Sequence, residues 1–93
     1  KRAFSLLLFY VMIFTPLDPE IVGYLRKRNL LKKFEKQRII FERNPFHPSL
    51  NTELLEPREM RLWSFRINRK YRAVFIFHDS STIEILDVNN HYN

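Results

Sequence analysis

Trp63-Ser64-Phe65-Arg66-Ile67-Asn68-Arg69-Lys70-Tyr71-Arg72-Ala73-Val74-Phe75 decides the fold of this chain. Apolar residues alternate with polar or small ones on either side of the polar tripeptide 68–70, the pattern of two β-strands joined by a short turn. A three-residue loop sets Ile67 opposite Tyr71, Phe65 opposite Ala73 and Trp63 opposite Phe75, which makes one face apolar. The other face then carries Arg66 opposite Arg72, with Ser64 beside Val74. A second separator, His78-Asp79-Ser80-Ser81-Thr82, precedes a third apolar run. With a loop over 79–82, His78 pairs with Ile83 and Asn89 falls opposite Arg72. The C-terminal third therefore reads as an antiparallel meander of strands 62–67, 71–77 and 83–88. Its outer face is expected to gather Arg66, Arg72, His78, Asn89 and His91, with Tyr92 joining them if the end curls back.

The apolar face of the meander needs a cover, and the sequence before it supplies two helices. Asp18-Pro19-Glu20 sets an N-cap, a first-turn proline and a first-turn acid in the order a helix start prefers. A helix is expected from Pro19 to Arg28. Asn29 can cap a second one, which Asn44-Pro45 ends. Ile21, Leu25, Leu31, Phe34 and Phe41 recur at helical spacing and are expected to pack on Trp63, Phe65, Ile67, Tyr71 and Phe75. Lys27, Arg28, Lys32, Lys33, Lys36 and Arg38 make this hairpin basic; for most of them a solvated face is the simplest reading.

Upstream, Lys1-Arg2 and an apolar run to Phe14 imitate a signal peptide, but the run meets Thr15-Pro16-Leu17-Asp18 instead of a small-residue cleavage site, and it is short of the ~20 apolar residues of a spanning helix. We read residues 12–93 as one domain beginning on a strand at Met12. Residues 1–11 are either an upstream extension or the start of that strand. Residues 46–61, with Pro48 and Pro57 and no sustained period, read as a long loop carrying His47, Glu53, Glu56 and Glu59, and loops of such length in compact domains are often functional. The fold class expected is thus α+β: an N-terminal strand and a two-helix hairpin packed on a three-stranded antiparallel meander.

Composition narrows the chemistry. Ninety-three residues suffice for one small domain, and the absence of cysteine excludes a disulfide framework and thiolate metal sites, which makes a reducing cytoplasm the easier home. A single glycine excludes a glycine-rich phosphate loop. No membrane partner, metal or cofactor is expected. Sixteen Lys and Arg against ten Asp and Glu leave a net charge of +6, which draws the chain to polyanions. Two guanidiniums facing each other across a sheet repel unless an anion sits between them, and a phosphate fits. RNA phosphodiester cleavage without metal needs an acceptor for the 2′-hydroxyl proton, a donor for the leaving 5′-oxygen, and cations for the phosphorane; histidine and arginine can supply these.

The block from Trp63 to Phe75, together with Asp87-Val88-Asn89-Asn90-His91-Tyr92, resembles the C-terminal half of RelE/ParE superfamily toxins, and within them the YoeB branch. Asn44-Pro45-Phe46-His47-Pro48-Ser49-Leu50 is similar to the segment after the second helix in many members. The resemblance spans residues 12–93. It implies a strand, two helices and a meander, and the toxin of a type II toxin–antitoxin system: an endoribonuclease that cuts mRNA in the ribosomal A site and is silenced by a cognate antitoxin. By position it implies that Arg72 stabilises the scissile phosphate, His91 is the general acid, Tyr92 orients substrate and Arg66 is a second motif arginine. Lys32, Lys33, Lys36, Arg69 and Lys70 are then RNA contacts. The glutamate that serves the YoeB branch as general base falls at Pro48 here, so His47, Glu53 and Glu56 are the candidates to replace it. Two other readings remain open: a ParE-like gyrase inhibitor without catalysis, and an inactive relic that binds antitoxin or nucleic acid.

Overall fold

In the computed structural model of the protein, residues 11–90 are described. The expected extension, apart from Val11, and the expected site residues His91 and Tyr92 lie outside them. The order of elements is β1 (Ile13–Phe14), α1 (Pro19–Lys27), α2 (Leu31–Arg43), β2 (Glu53–Leu54), β3 (Trp63–Arg66), β4 (Arg72–Phe77) and β5 (Thr82–Asn89), with single 3-10 turns at Pro48–Leu50 and Arg58–Met60 between α2 and β3. One mixed sheet runs β1-β5-β4-β3-β2, parallel at β1–β5 and antiparallel elsewhere. The architecture is the α+β one expected, with one addition: the long loop contributes the edge strand β2.

Helix α1 starts as its sequence dictates. Asp18 caps it by accepting a 2.8 Å hydrogen bond from the Glu20 N–H, and Pro19 occupies the first turn. Its end corrects the expected role of Asn29. That residue takes φ 56° and closes α1: Asn29 N–H bonds Arg26 O and Leu30 N–H bonds Leu25 O, a Schellman arrangement with Leu25 and Leu30 buried against each other's ends of the turn. Asparagine tolerates the left-handed region better than most residues, and that preference outweighs its use as an N-cap. Leu30 therefore stands at the cap of α2 with no side-chain hydrogen bond.

The core lies between the helices and the inner face of the sheet. Phe34 and Phe41 from α2, Phe65 from β3, Phe75 from β4 and Leu25 from α1 are fully buried. Trp63, Tyr71, Ile21 and Leu31 pack around it and are partly exposed. The β3–β4 register is the one expected, Trp63 with Phe75, Phe65 with Ala73 and Arg66 with Arg72.

Gln37 is the one polar side chain of α2 that is buried, and its Nε2 donates to Arg66 O at 2.8 Å and Ser49 O at 3.2 Å. It thereby ties the turn after His47 to the end of β3. Gln37→Leu leaves both carbonyls without that donor, so we expect a loss of about 1–3 kcal/mol in urea unfolding. An unchanged midpoint would show that water replaces the amide at no cost.

Candidate functional site

Strand alternation and register place four side chains in a row across the outer face of the sheet. Glu53 on β2 is paired with Ser64 on β3, and Arg66, two residues on, is paired with Arg72 on β4, which is paired in turn with Asn89 on β5. Facing residues in such ladders stand about 4.5–5.5 Å apart at Cα, and Glu53 is a diagonal neighbour of Arg66 at about 7–8 Å. The Arg72 Nε donates to Asn89 Oδ1 at 3.0 Å, and the Asn89 Nδ2 donates to Asp87 Oδ2 at 2.8 Å. This chain of hydrogen bonds fixes the plane of the Arg72 guanidinium. Ser64, on the same face between Glu53 and Arg66, is fully buried, and its hydroxyl has no hydrogen-bond partner.

Asn89 reaches Arg72 because of a bulge. Phe77 faces Ile83, Ile76 faces Glu84 and Phe75 faces Ile85, but Val74 faces Asp87, so Leu86 is an extra residue. The extra residue inverts the side-chain alternation, keeping Ile83, Ile85 and Val88 in the core while turning Asn89 outward. The expected pairing of Asn89 with Arg72 holds, whereas that of His78 with Ile83 does not: the His78 N–H bonds Thr82 O. His78 also does not join the arginines. It lies six residues along β4 from Arg72, about 20 Å away, with its Nε2 2.9 Å from Glu84 Oε1.

The β3–β4 turn adds more positive charge at the same end. Asn68 Oδ1 accepts from the N–H groups of Lys70 and Tyr71, both at 2.8 Å, shaping a turn that exposes Arg69 and Lys70. Arg66, Arg69, Lys70 and Arg72 thus fall within seven consecutive residues of one hairpin tip. Lys32, Lys33 and Lys36 are exposed on α2, in the helical layer, whereas the arginines point from the other side of the sheet. The structure therefore separates two basic surfaces that charge counting alone lumps together. Arg38 belongs to neither. Hydrogen bonding to Glu35, reinforced by Glu42, raises its pKa above the ordinary guanidinium value and occupies its charge.

His47 is exposed and engaged in local structure. Its Nδ1 accepts the Ser49 N–H at 3.1 Å and lies 3.0 Å from the Ser49 hydroxyl, capping the first 3-10 turn. With the Nδ1 lone pair used this way, the hydrogen-bond network assigns the proton of the neutral ring to Nε2, so neither nitrogen is open to accept another. Glu56 is exposed beside Arg58 at 3.4 Å. Of the three candidate bases, Glu53 is the one that register puts beside the arginines. Its signal in the sequence was its place in a long loop, but no pattern of so short a strand as 53–54 announces the pairing. Among the described residues no group of three or more His, Asp or Glu is placed to hold a metal ion, and no helix is long and apolar enough to cross a membrane.

Neither a family model nor a curated protein matches the sequence. Solved structures do match the fold. The YoeB dimer from Staphylococcus aureus is 25% identical at a TM-score of 0.65, over 88% of this chain and 97% of that one. A chain of the heterotetrameric YoeB–YefM toxin–antitoxin complex from Staphylococcus aureus is 25% identical at 0.63, over 87% and 95%. A YoeB/ParE toxin from Agrobacterium tumefaciens, at 19% identity and a TM-score of 0.64, covers 88% of this chain with 99% of its own and supports the fold alone. Shared architecture over nearly the whole length of such neighbours, joined to the Trp63–Phe75 block on the hairpin where the arginines face each other, makes this chain similar in fold to the YoeB toxins of toxin–antitoxin systems.

Proposed function

We propose that the chain is the toxin of a type II toxin–antitoxin pair and that it cleaves mRNA in the ribosomal A site, in the cytoplasm, as a metal-independent endoribonuclease silenced by an acidic antitoxin. The observation that carries this reading is the Arg72 guanidinium, oriented by Asn89 and facing Arg66 on an outward sheet face. An RNA phosphate seated there meets two permanent cations on one side. The 2′-oxygen attacks the adjacent phosphorus while the bond to the 5′-oxygen breaks, giving a 2′,3′-cyclic phosphate and a 5′-hydroxyl end. The 2′-hydroxyl proton goes to a base, and an acid protonates the departing oxygen. Glu53 suits the first role better than His47, because its carboxylate shares the arginine face and the His47 Nδ1 is already used. His91 suits the second, on the resemblance and on its place two residues beyond Asn89, with Tyr92 orienting the base stack. Arg69 and Lys70 extend the phosphate track at the hairpin tip, while Lys32, Lys33 and Lys36 meet ribosomal RNA from the helical side.

Purified chain, ribosomes and a defined mRNA test this directly. New 5′-hydroxyl ends mapped to the A-site codon, dependent on ribosomes and unaffected by chelators, are the expected result. Glu53→Gln is expected to slow cleavage about 10²-fold, since an amide cannot accept the proton. Gyrase-linked DNA breaks without mRNA cuts would select the ParE-like inhibitor reading. Neither breaks nor cuts, with antitoxin still bound, would mark an inactive relic.

A further inference from the structure

The free edge of β5 holds a second feature, which shares with the arginine face only Asp87. β1 covers β5 only at Thr82 and Ile83, after which the chain turns away at Thr15-Pro16. Thr15 N–H bonds Ile83 O across this edge, so by strand alternation Ile85 presents its N–H and C=O to the same side, where among the described residues no strand follows. That open edge, Glu84 to Val88, forms one wall of a groove of about 570 Å³ whose other wall is Pro16 and the start of α1, with Ile21 and Tyr24. Leu86, the bulged residue, is 42% exposed at its lip.

The groove is acidic in a chain that is not. Asp18, Glu20, Glu84 and Asp87 line it, four of the ten carboxylates of a protein carrying +6. Glu35, Glu42 and Glu56 elsewhere are paired with arginines, whereas among the described residues none of these four has a Lys or Arg within 4.0 Å; Glu84 meets only His78. Open edges are usually protected by lysine, proline or a covering segment, and this one is instead flanked by uncompensated negative charge. We propose that the groove binds an extended basic segment of a partner protein, which adds as a strand along β5 with an apolar side chain between Ile21, Tyr24 and Leu86 and with Lys or Arg side chains over the four carboxylates. Glu84 to Val88 is about 17 Å of strand, room for about five residues. The occupant is thus opposite in charge to what the arginine face attracts.

The probe is a capped heptapeptide alternating lysine with valine, added to isotope-labelled full chain. Amide exchange at Ile85 is expected to slow about tenfold at saturation, with chemical shifts moving along β5 and α1. Glu20→Lys and Glu84→Lys, both outside the catalytic row, are each expected to weaken binding about tenfold, and salt to weaken it further. A version of the peptide N-methylated on alternate residues keeps charge and loses strand pairing, so it should not protect Ile85. The proposal is overturned if no shifts appear at about 1 mM peptide, if a glutamate–valine peptide binds equally well, if binding leaves Ile85 unprotected, or if Ile85 is already protected by a second copy of the chain in a concentration-dependent dimer.

Discussion

Arg72→Ala is expected to abolish toxicity and to reduce ribosome-dependent mRNA cleavage about 10²- to 10³-fold, the scale at which one preorganised donor to a developing oxyanion contributes. The argument begins with position. Arg72 faces Arg66 across β3–β4, and the hydrogen bond from its Nε to Asn89 sets the guanidinium in one plane before any ligand arrives. Two terminal nitrogens can then donate together to a phosphate, which an ammonium cannot do, so Arg72→Lys should retain the charge and lose most of the rate. Arg72 is half-buried and alternates with the core residues Ala73 and Phe75 along β4, on the outer face, so the alanine variant should melt within a few degrees of the parent and still bind antitoxin. His91→Ala should be equally inactive, since no other group in the proposal protonates the leaving 5′-oxygen, and His91 can hold or give a proton near neutral pH. Asn89→Ala is the diagnostic intermediate: it removes the orienting acceptor and leaves every cation in place, so it should lower turnover more than substrate affinity. Primer extension on stalled ribosomes measures all four variants, and an Arg72→Ala protein that cuts at the parental rate removes Arg72 from the chemistry.

Much of this site was legible because the turn chemistry and alternation of residues 62–77 admit one register. A slip of one residue would turn Phe65 and Phe75 to solvent, so the apolar pattern alone forces Arg66 against Arg72. The other half was harder. The expected contact of Asn89 with Arg72 rested on a pairing of His78 with Ile83 that does not form; the Leu86 bulge supplies the missing residue of offset. Its trace in the sequence is the apolar pair Ile85-Leu86, which breaks strict alternation, but an apolar pair can equally be a wide strand or a turn onset. Asn29 shows a different competition. Asparagine serves both as N-cap and as left-handed C′ residue, and between two helices separated by so few residues only the tertiary closure of Leu30 onto Leu25 decides. His47 and Glu53 sit in a loop with no period to read, and which of them approaches the arginines depends on a two-residue strand and on the Gln37 bridge, both products of packing. His91 and Tyr92 lie outside the described residues, and their roles remain those implied by the resemblance and carried into the proposal.

Phe65→Ala is expected to cost about 3–5 kcal/mol, which is roughly a fifth or more of the stability such a domain can hold. The magnitude follows from the neighbours. The Phe65 ring lies 5.2 Å from Phe41, 5.8 Å from Phe75, 6.1 Å from Phe34 and 6.3 Å from Phe14, centroid to centroid, so it meets rings from helix α2, strand β4 and edge strand β1 at once. Truncation therefore removes transfer free energy and several aromatic contacts, and opens a cavity that the three surrounding elements cannot close without moving one another. In a domain of this size each kcal/mol is about 4–8 °C, so the melt should fall by about 12–40 °C or vanish. Trp63→Ala is the informative control, because the sequence pattern ranked Trp63 with the core, whereas the structure places it at the margin against Phe77 and Phe46, the latter 57% exposed. Its loss should be smaller despite the larger side chain, since neighbours and solvent can fill part of the gap. Differential scanning calorimetry on both variants settles the order: a Trp63→Ala protein less stable than Phe65→Ala would move the centre of the core from the α2–sheet interface to the hairpin's outer end.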